Sequence, residues 1–203
     1  RVGDLEALDI EQHHSLALHI GERLAPRDQR VGDGGVEAIE ALRAGPAATL
    51  VLGGDALVAQ GLCDADRIAQ ATGCRVWCET FNAAHERGVG VPSVDRIPYF
   101  REPATEALAP FTNVVLAGAL PPVAFFASPE GRSELTAPGA NLVALDAAHS
   151  PLAFLAALAN RVAANTKPRT ADRVKAEAPS GPLLPKSIWA SVNRHLPAGA
   201  LIS

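Results

Sequence analysis

Residues 47–81 read AATLVLGGDALVAQGLCDADRIAQATGCRVWCETF, a strand–turn–helix–strand pattern. Ala48–Leu52 is a short apolar run, the pattern of a strand buried on both faces. Gly53-Gly54-Asp55 interrupts it, with Asp55 placed to cap a following helix. Leu57, Leu62, Ile68 and Ala69 supply that helix with an apolar face, and Gly73 is suited to end it. Cys74–Glu79 then reads as a second strand. Strand, helix and strand in this order form a βαβ unit, which predicts an α/β fold built on a parallel sheet with a right-handed crossover.

Working outward, Val36–Ala44 predicts a short helix ended by Gly45-Pro46. Downstream, residues 82–103 are irregular in composition, and Pro103–Leu108 is enough for one or two helical turns. Val114–Leu116 predicts a third strand closed by Gly118. A second irregular stretch, Ala119–Ala140, leads to a fourth strand at Asn141–Leu145. Ser150-Pro151 opens a helix over Leu152–Val162, with Ser as cap and Pro in the first turn. The alternation predicts at least four parallel strands with helices on both faces. Residues 165–182 are rich in Lys, Arg, Pro, Ser and Gly and read as a linker. Leu184–His195 then predicts a helix and Ala200–Ile202 the start of a strand. Upstream, Leu5–Leu24 has helical periodicity, and Arg27–Gly35 reads as a linker. Residues 1–35 thus stand as an unassigned N-terminal helix and linker, 36–164 as the central unit, 165–182 as a linker and 183–203 as the opening of a further domain. Methionine is absent, even at residue 1, so the chain is expected to be part of a longer gene product.

Of the 203 residues, 48% are apolar, enough for a substantial core, and the formal net charge is −4, which argues against a nucleic-acid partner. No apolar run is long enough to span a bilayer, so no membrane partner is expected. Three cysteines, Cys63, Cys74 and Cys78, read as reduced thiols in a cytoplasmic setting. On one strand, Cys74 and Cys78 would share a face at a separation too great for a relaxed disulfide.

Residues that carry chemistry are sparse. His13, His14 and His19 lack the one-turn spacing and the third ligand of a helical zinc site and read as solvated. His85-Glu86-Arg87 reads as a charged loop cluster, and His149 as a surface residue ahead of a helix. No serine sits in a nucleophile-elbow context. The only tyrosine, Tyr99, is followed by Phe100-Arg101-Glu102-Pro103 and so lacks the Tyr-x-x-x-Lys pair of a small NAD-linked oxidoreductase. Gly53-Gly54 has two readings. Backbone N–H groups at a helix start favour a diphosphate, yet the G-x-G-x-x-G fingerprint is missing and Asp55 repels anions. Tight-turn glycines are the alternative. Gly118 would face the same crevice.

Together these residues resemble a known family. LVLGGDAL, GLCDADRIAQATGCRVWCETF, ERGVGVPSVDRIPYF and NVVLAGALPPVAFFASPEG resemble the central domain of thiamine-diphosphate-dependent enzymes, with acetolactate synthase-like and benzoylformate decarboxylase-like proteins as nearest kin. LLPKSIWASVNRHLPAGALIS resembles the opening of that family's pyrophosphate domain. The resemblance spans about residues 36–203 and implies a Rossmann-like central domain. It also implies a homo-oligomeric parent enzyme of three domains that acts on 2-oxo acids, with the thiazolium as electron sink. Thiamine diphosphate and Mg²⁺ would be held by the other domains, while FAD or ADP binds the central domain in some branches. For this chain it implies Gly53, Gly54 and Gly118 as nucleotide-contacting positions and no catalytic or metal-binding residue. Gly32-Asp33-Gly34 is similar to the family's magnesium triplet, but no buried strand precedes it and the first asparagine is Asn82; it reads as a turn. The rival to a domain of a larger enzyme is a stand-alone nucleotide-binding or regulatory module.

Overall fold

In the computed structural model, which describes residues 31–126, 132–145, 149–172 and 177–197, the core is a five-stranded sheet. The strands are β1 (Ala48–Leu52), β2 (Arg75–Cys78), β3 (Asp95–Arg96), β4 (Asn113–Ala117) and β5 (Asn141–Ala144). Their order across the sheet is β3-β2-β1-β4-β5, and every pair is parallel. The helices are α1 (Val31–Leu42), α2 (Ala59–Thr72), α3 (Arg101–Leu108), α4 (Pro151–Val162) and α5 (Pro185–His195).

β1 is central, and all five of its residues are buried. Alternation along it feeds two cores. Leu50 and Leu52 join Val115 and Ala117 of β4 in a cluster with Leu42 of α1, Leu62 and Ile68 of α2, and Leu155 and Leu158 of α4. Val51 joins Val114 and Leu116 of β4 on the opposite face, with Ala104 and Leu108 of α3. Parallel strands covered on both sides need this continuous apolar character. Thr49 is the polar exception in β1, and its hydroxyl donates to the Arg75 carbonyl at 2.9 Å. The expected parallel sheet with helices on both faces is therefore present.

Some elements differ from expectation. α1 starts at Val31, so Gly32-Asp33-Gly34 lies in its first turn rather than in a linker turn. Asp55 makes no side-chain cap; Gly54–Leu57 forms a 3₁₀ turn, and α2 begins at Ala59. The two-residue β3 sits inside the stretch expected to be loop. The expected linker after α4 folds back on α2. Arg169 chelates Asp66 Oδ1 through Nε at 3.1 Å and Nη2 at 2.7 Å, and the Ala171 amide donates to the Val91 carbonyl. Arg67 reinforces this by donating to the carbonyls of Ala163 and Thr166 while paired with buried Asp64. The helix start at Ser150 is as expected, with its hydroxyl accepting from the Ala153 amide at 3.3 Å. Leu5–Leu24, the three histidines within it and the strand expected at Ala200–Ile202 lie outside the described residues.

Candidate functional site: the crevice at the switch point

Strand order reverses between β1 and β4. The chain runs from β1 outward through β2 and β3, then crosses to the other side of β1 to form β4. In open α/β sheets ligands bind beyond the C-terminal strand ends at such a point. Here those ends carry Gly53 and Gly118, with Gly54 next to them, so the fold does bring the three expected glycines together.

Their environment is crowded by the protein itself. The Gly53 amide donates to the Ala117 carbonyl at 3.0 Å, and Leu52 bridges to Gly118. A Cβ at Gly53 would lie 2.6 Å from the Gly118 oxygen and 2.7 Å from both the Ala119 Cα and Glu79 Oε1. Gly118 has φ +71°, and a Cβ on it would lie 2.4 Å from the Gly53 oxygen and 2.8 Å from Pro151 Cγ. The close backbone approach that glycine permits is thus an approach of β1 to β4. Gly54 differs: its φ is +50°, while the nearest obstacle to a Cβ is the Gly118 oxygen at 3.6 Å.

Two carboxylates take up the backbone donors beside these glycines. Glu79, just past β2, accepts from the Gly54 amide at 3.3 Å and from the Leu120 amide. Burial raises its pKa, and the two backbone hydrogen bonds oppose that rise. Glu86 Oε2 accepts from the Ala59 amide in the first turn of α2. The Glu86 amide in turn donates to the Leu57 carbonyl at 2.9 Å. Glu86 therefore provides the cap that Asp55 was expected to give, and its charge suits the helix dipole. A diphosphate at this turn would need the donors that these carboxylates hold, and would meet their negative charge. Sequence reasoning grouped Glu86 with a charged loop and passed over Glu79; only the return of both loops onto the β1–α2 turn reveals their roles.

Other candidates resolve simply. His85 Nδ1 lies 3.3 Å from Arg87 Nη2, and burial, followed by Arg87 and Arg96, lowers its pKa. Cys74 and Cys78 are buried free thiols in the larger core cluster, with pKa values raised chiefly by burial. Among the described residues no group of three or more His, Cys, Asp or Glu side chains is placed to hold a metal ion. Gly32-Asp33-Gly34 is helical, within α1, and is not a turn at the end of a strand. No described helix is long and apolar enough to cross a membrane.

The chain matches no family model. It is 41% identical over 161 residues to a Mycobacterium tuberculosis protein carrying the provisional name acetolactate synthase large subunit IlvX. The match covers 79% of this chain and 31% of that protein. The chain is a thiamine-diphosphate-enzyme-like domain. Its fold matches that of a Rhodococcus jostii RHA1 thiamine diphosphate-dependent 4-hydroxybenzoylformate decarboxylase, with a TM-score of 0.55, 22% identity, and coverage of 88% of this chain and 37% of that one. The domain thus spans about a third of the length of either relative. Within it, the crevice beyond β1 and β4 is where a ligand of an open α/β sheet would be sought, and the Gly54 and Ala59 amides there already donate to Glu79 and Glu86.

Proposed function

We propose that this domain is the central, structural domain of a larger thiamine-diphosphate-dependent, acetolactate synthase-like enzyme acting on 2-oxo acids, and that it contributes shape rather than chemistry. The observation that carries the structural role is the occupation of the switch-point donors by Glu79 and Glu86. The 41% match to a protein about two and a half times as long supports the larger context. In this reading thiamine diphosphate and Mg²⁺ belong to other domains of a cytoplasmic homo-oligomer. When bound there, the cofactor supplies an electron sink beside the substrate carbonyl.

Calorimetric titration of the 203-residue protein with thiamine diphosphate and Mg²⁺ tests the assignment of chemistry elsewhere. The expected outcome is no binding heat. A micromolar dissociation constant would show that this domain holds the cofactor itself.

A further inference from the structure

The chain has nine aromatic residues: six Phe, two Trp and one Tyr. Five of them gather in one exposed cluster drawn from three loops beyond the C-terminal ends of β2, β3 and β4. Phe81 follows β2, Tyr99 and Phe100 follow β3, and Phe125 and Phe126 follow β4. Phe81 meets Tyr99 edge-on at 5.5 Å between ring centroids and Phe125 at 5.1 Å; Phe125 meets Phe126 at 4.9 Å. Tyr99 is the hub, touching all four others. Such rings ordinarily end up in a core or an interface, yet these are 43% to 64% exposed. At ~200 Å² per ring, the cluster shows water on the order of 500 Å² of aromatic surface. Contiguous patches of that size mark interaction sites.

We propose that this aromatic platform is the surface on which another domain of the same, longer polypeptide docks. The inference rests on the reading of the chain as one domain of a larger enzyme. What points to this occupant is the length of chain outside the structure. The matched stretch is 31% of the mycobacterial relative and 37% of the decarboxylase chain, so a gene product of their size carries about one and a half times as much polypeptide again. Interdomain interfaces of about 600–1,500 Å² accommodate a patch of this area as their apolar centre. The platform is also pre-assembled, since ring-to-ring contacts already orient the side chains, and ordering them on docking costs little. A second uncovered apolar face accompanies it. Leu184, Ile188, Trp189 and Val192, spaced along the start and one side of α5, are 37% to 59% exposed. Two such faces on one chain fit a polypeptide built into a larger body.

The experiment uses the natural gene product. Its intact mass is measured first. Benzoylphenylalanine is then placed at Phe125, irradiated, and the crosslinks are mapped by mass spectrometry. Crosslinks within one polypeptide to residues beyond this 203-residue stretch are the expected result. A longer product whose crosslinks join two copies through this same stretch, or stay within the stretch, overturns the docking while leaving the larger-enzyme reading intact. A product no longer than this stretch overturns both. Hydrogen exchange gives a second readout. Amides of residues 123–126 should exchange at least tenfold more slowly in the longer protein than in the 203-residue stretch, and equal rates would overturn the proposal.

Discussion

Gly118→Ala isolates the approach of β1 to β4. Two costs meet at this residue. Its φ of +71° is a left-handed conformation, which costs an L-residue about 1–2 kcal/mol. Its Cβ would press to 2.4 Å from the Gly53 oxygen and 2.8 Å from Pro151 Cγ, an overpacking that costs about 1–3 kcal/mol. The expected loss is therefore roughly 2–5 kcal/mol. Gly54→Ala is the control. It has φ +50° but no closer neighbour than 3.6 Å, so it carries only the backbone cost of about 1–2 kcal/mol. Gly54→Val adds a branched side chain at the same positive φ and should also destabilise the fold. Urea unfolding of the 203-residue protein, followed by circular dichroism with the slope checked for constancy, measures both alanine variants. If Gly118→Ala loses no more than Gly54→Ala, the argument that these glycines exist to join β1 to β4 is wrong.

Glu79 gives a pH signature. Its folded pKa is raised by burial, so the folded state binds the proton more tightly than the unfolded chain. Its contribution is fully present below the unfolded value and is lost as pH rises through the folded one. Glu79→Gln should gain stability relative to the parent as pH rises above about 4.5, measured by unfolding midpoints across pH; a gain that shrinks over that range would contradict the assignment. Cys63 is half-buried whereas Cys74 and Cys78 are buried, so a thiol reagent should label Cys63 first, with the other two following only as the domain opens. Simultaneous labelling of all three would count against the packing around β2. Arg169→Ala removes an exposed guanidinium from Asp66, so the loss should be about 0.2–1 kcal/mol, with faster proteolysis near residues 167–172. Unchanged cleavage there would mean that the tail's return to α2 does not depend on this pair.

β1 was legible because every residue from Ala48 to Leu52 is buried. A parallel strand covered on both faces writes its burial directly into sequence, and β4 did the same. β3 was not legible. Asp95 and Arg96 are exposed and form a short edge strand whose charge discourages further pairing; nothing local separates them from loop. The start of α2 was misplaced for a related reason. Asp55 has the chemistry of a cap, but the cap comes from Glu86, 27 residues past Ala59. Long-range partners also explain the tail, where Arg169 reads as linker composition until Asp66, 103 residues earlier, meets it. The three crevice glycines could be named from the β-turn-α pattern, but that pattern does not distinguish a backbone pressed against a ligand from one pressed against a neighbouring strand. The aromatic platform left no periodic trace, because its members come from loops up to 45 residues apart.

Nucleotide titration distinguishes a crevice whose donors are held by Glu79 and Glu86 from a nucleotide site. The 203-residue protein is held at millimolar ADP, and separately FAD, while its melting temperature is followed. With Glu79 and Glu86 on the donors of the β1–α2 turn, no shift is predicted for either nucleotide. A saturable rise in melting temperature, abolished by Gly54→Val in a variant still folded by circular dichroism, would show that the crevice binds nucleotide and is not closed by its own carboxylates.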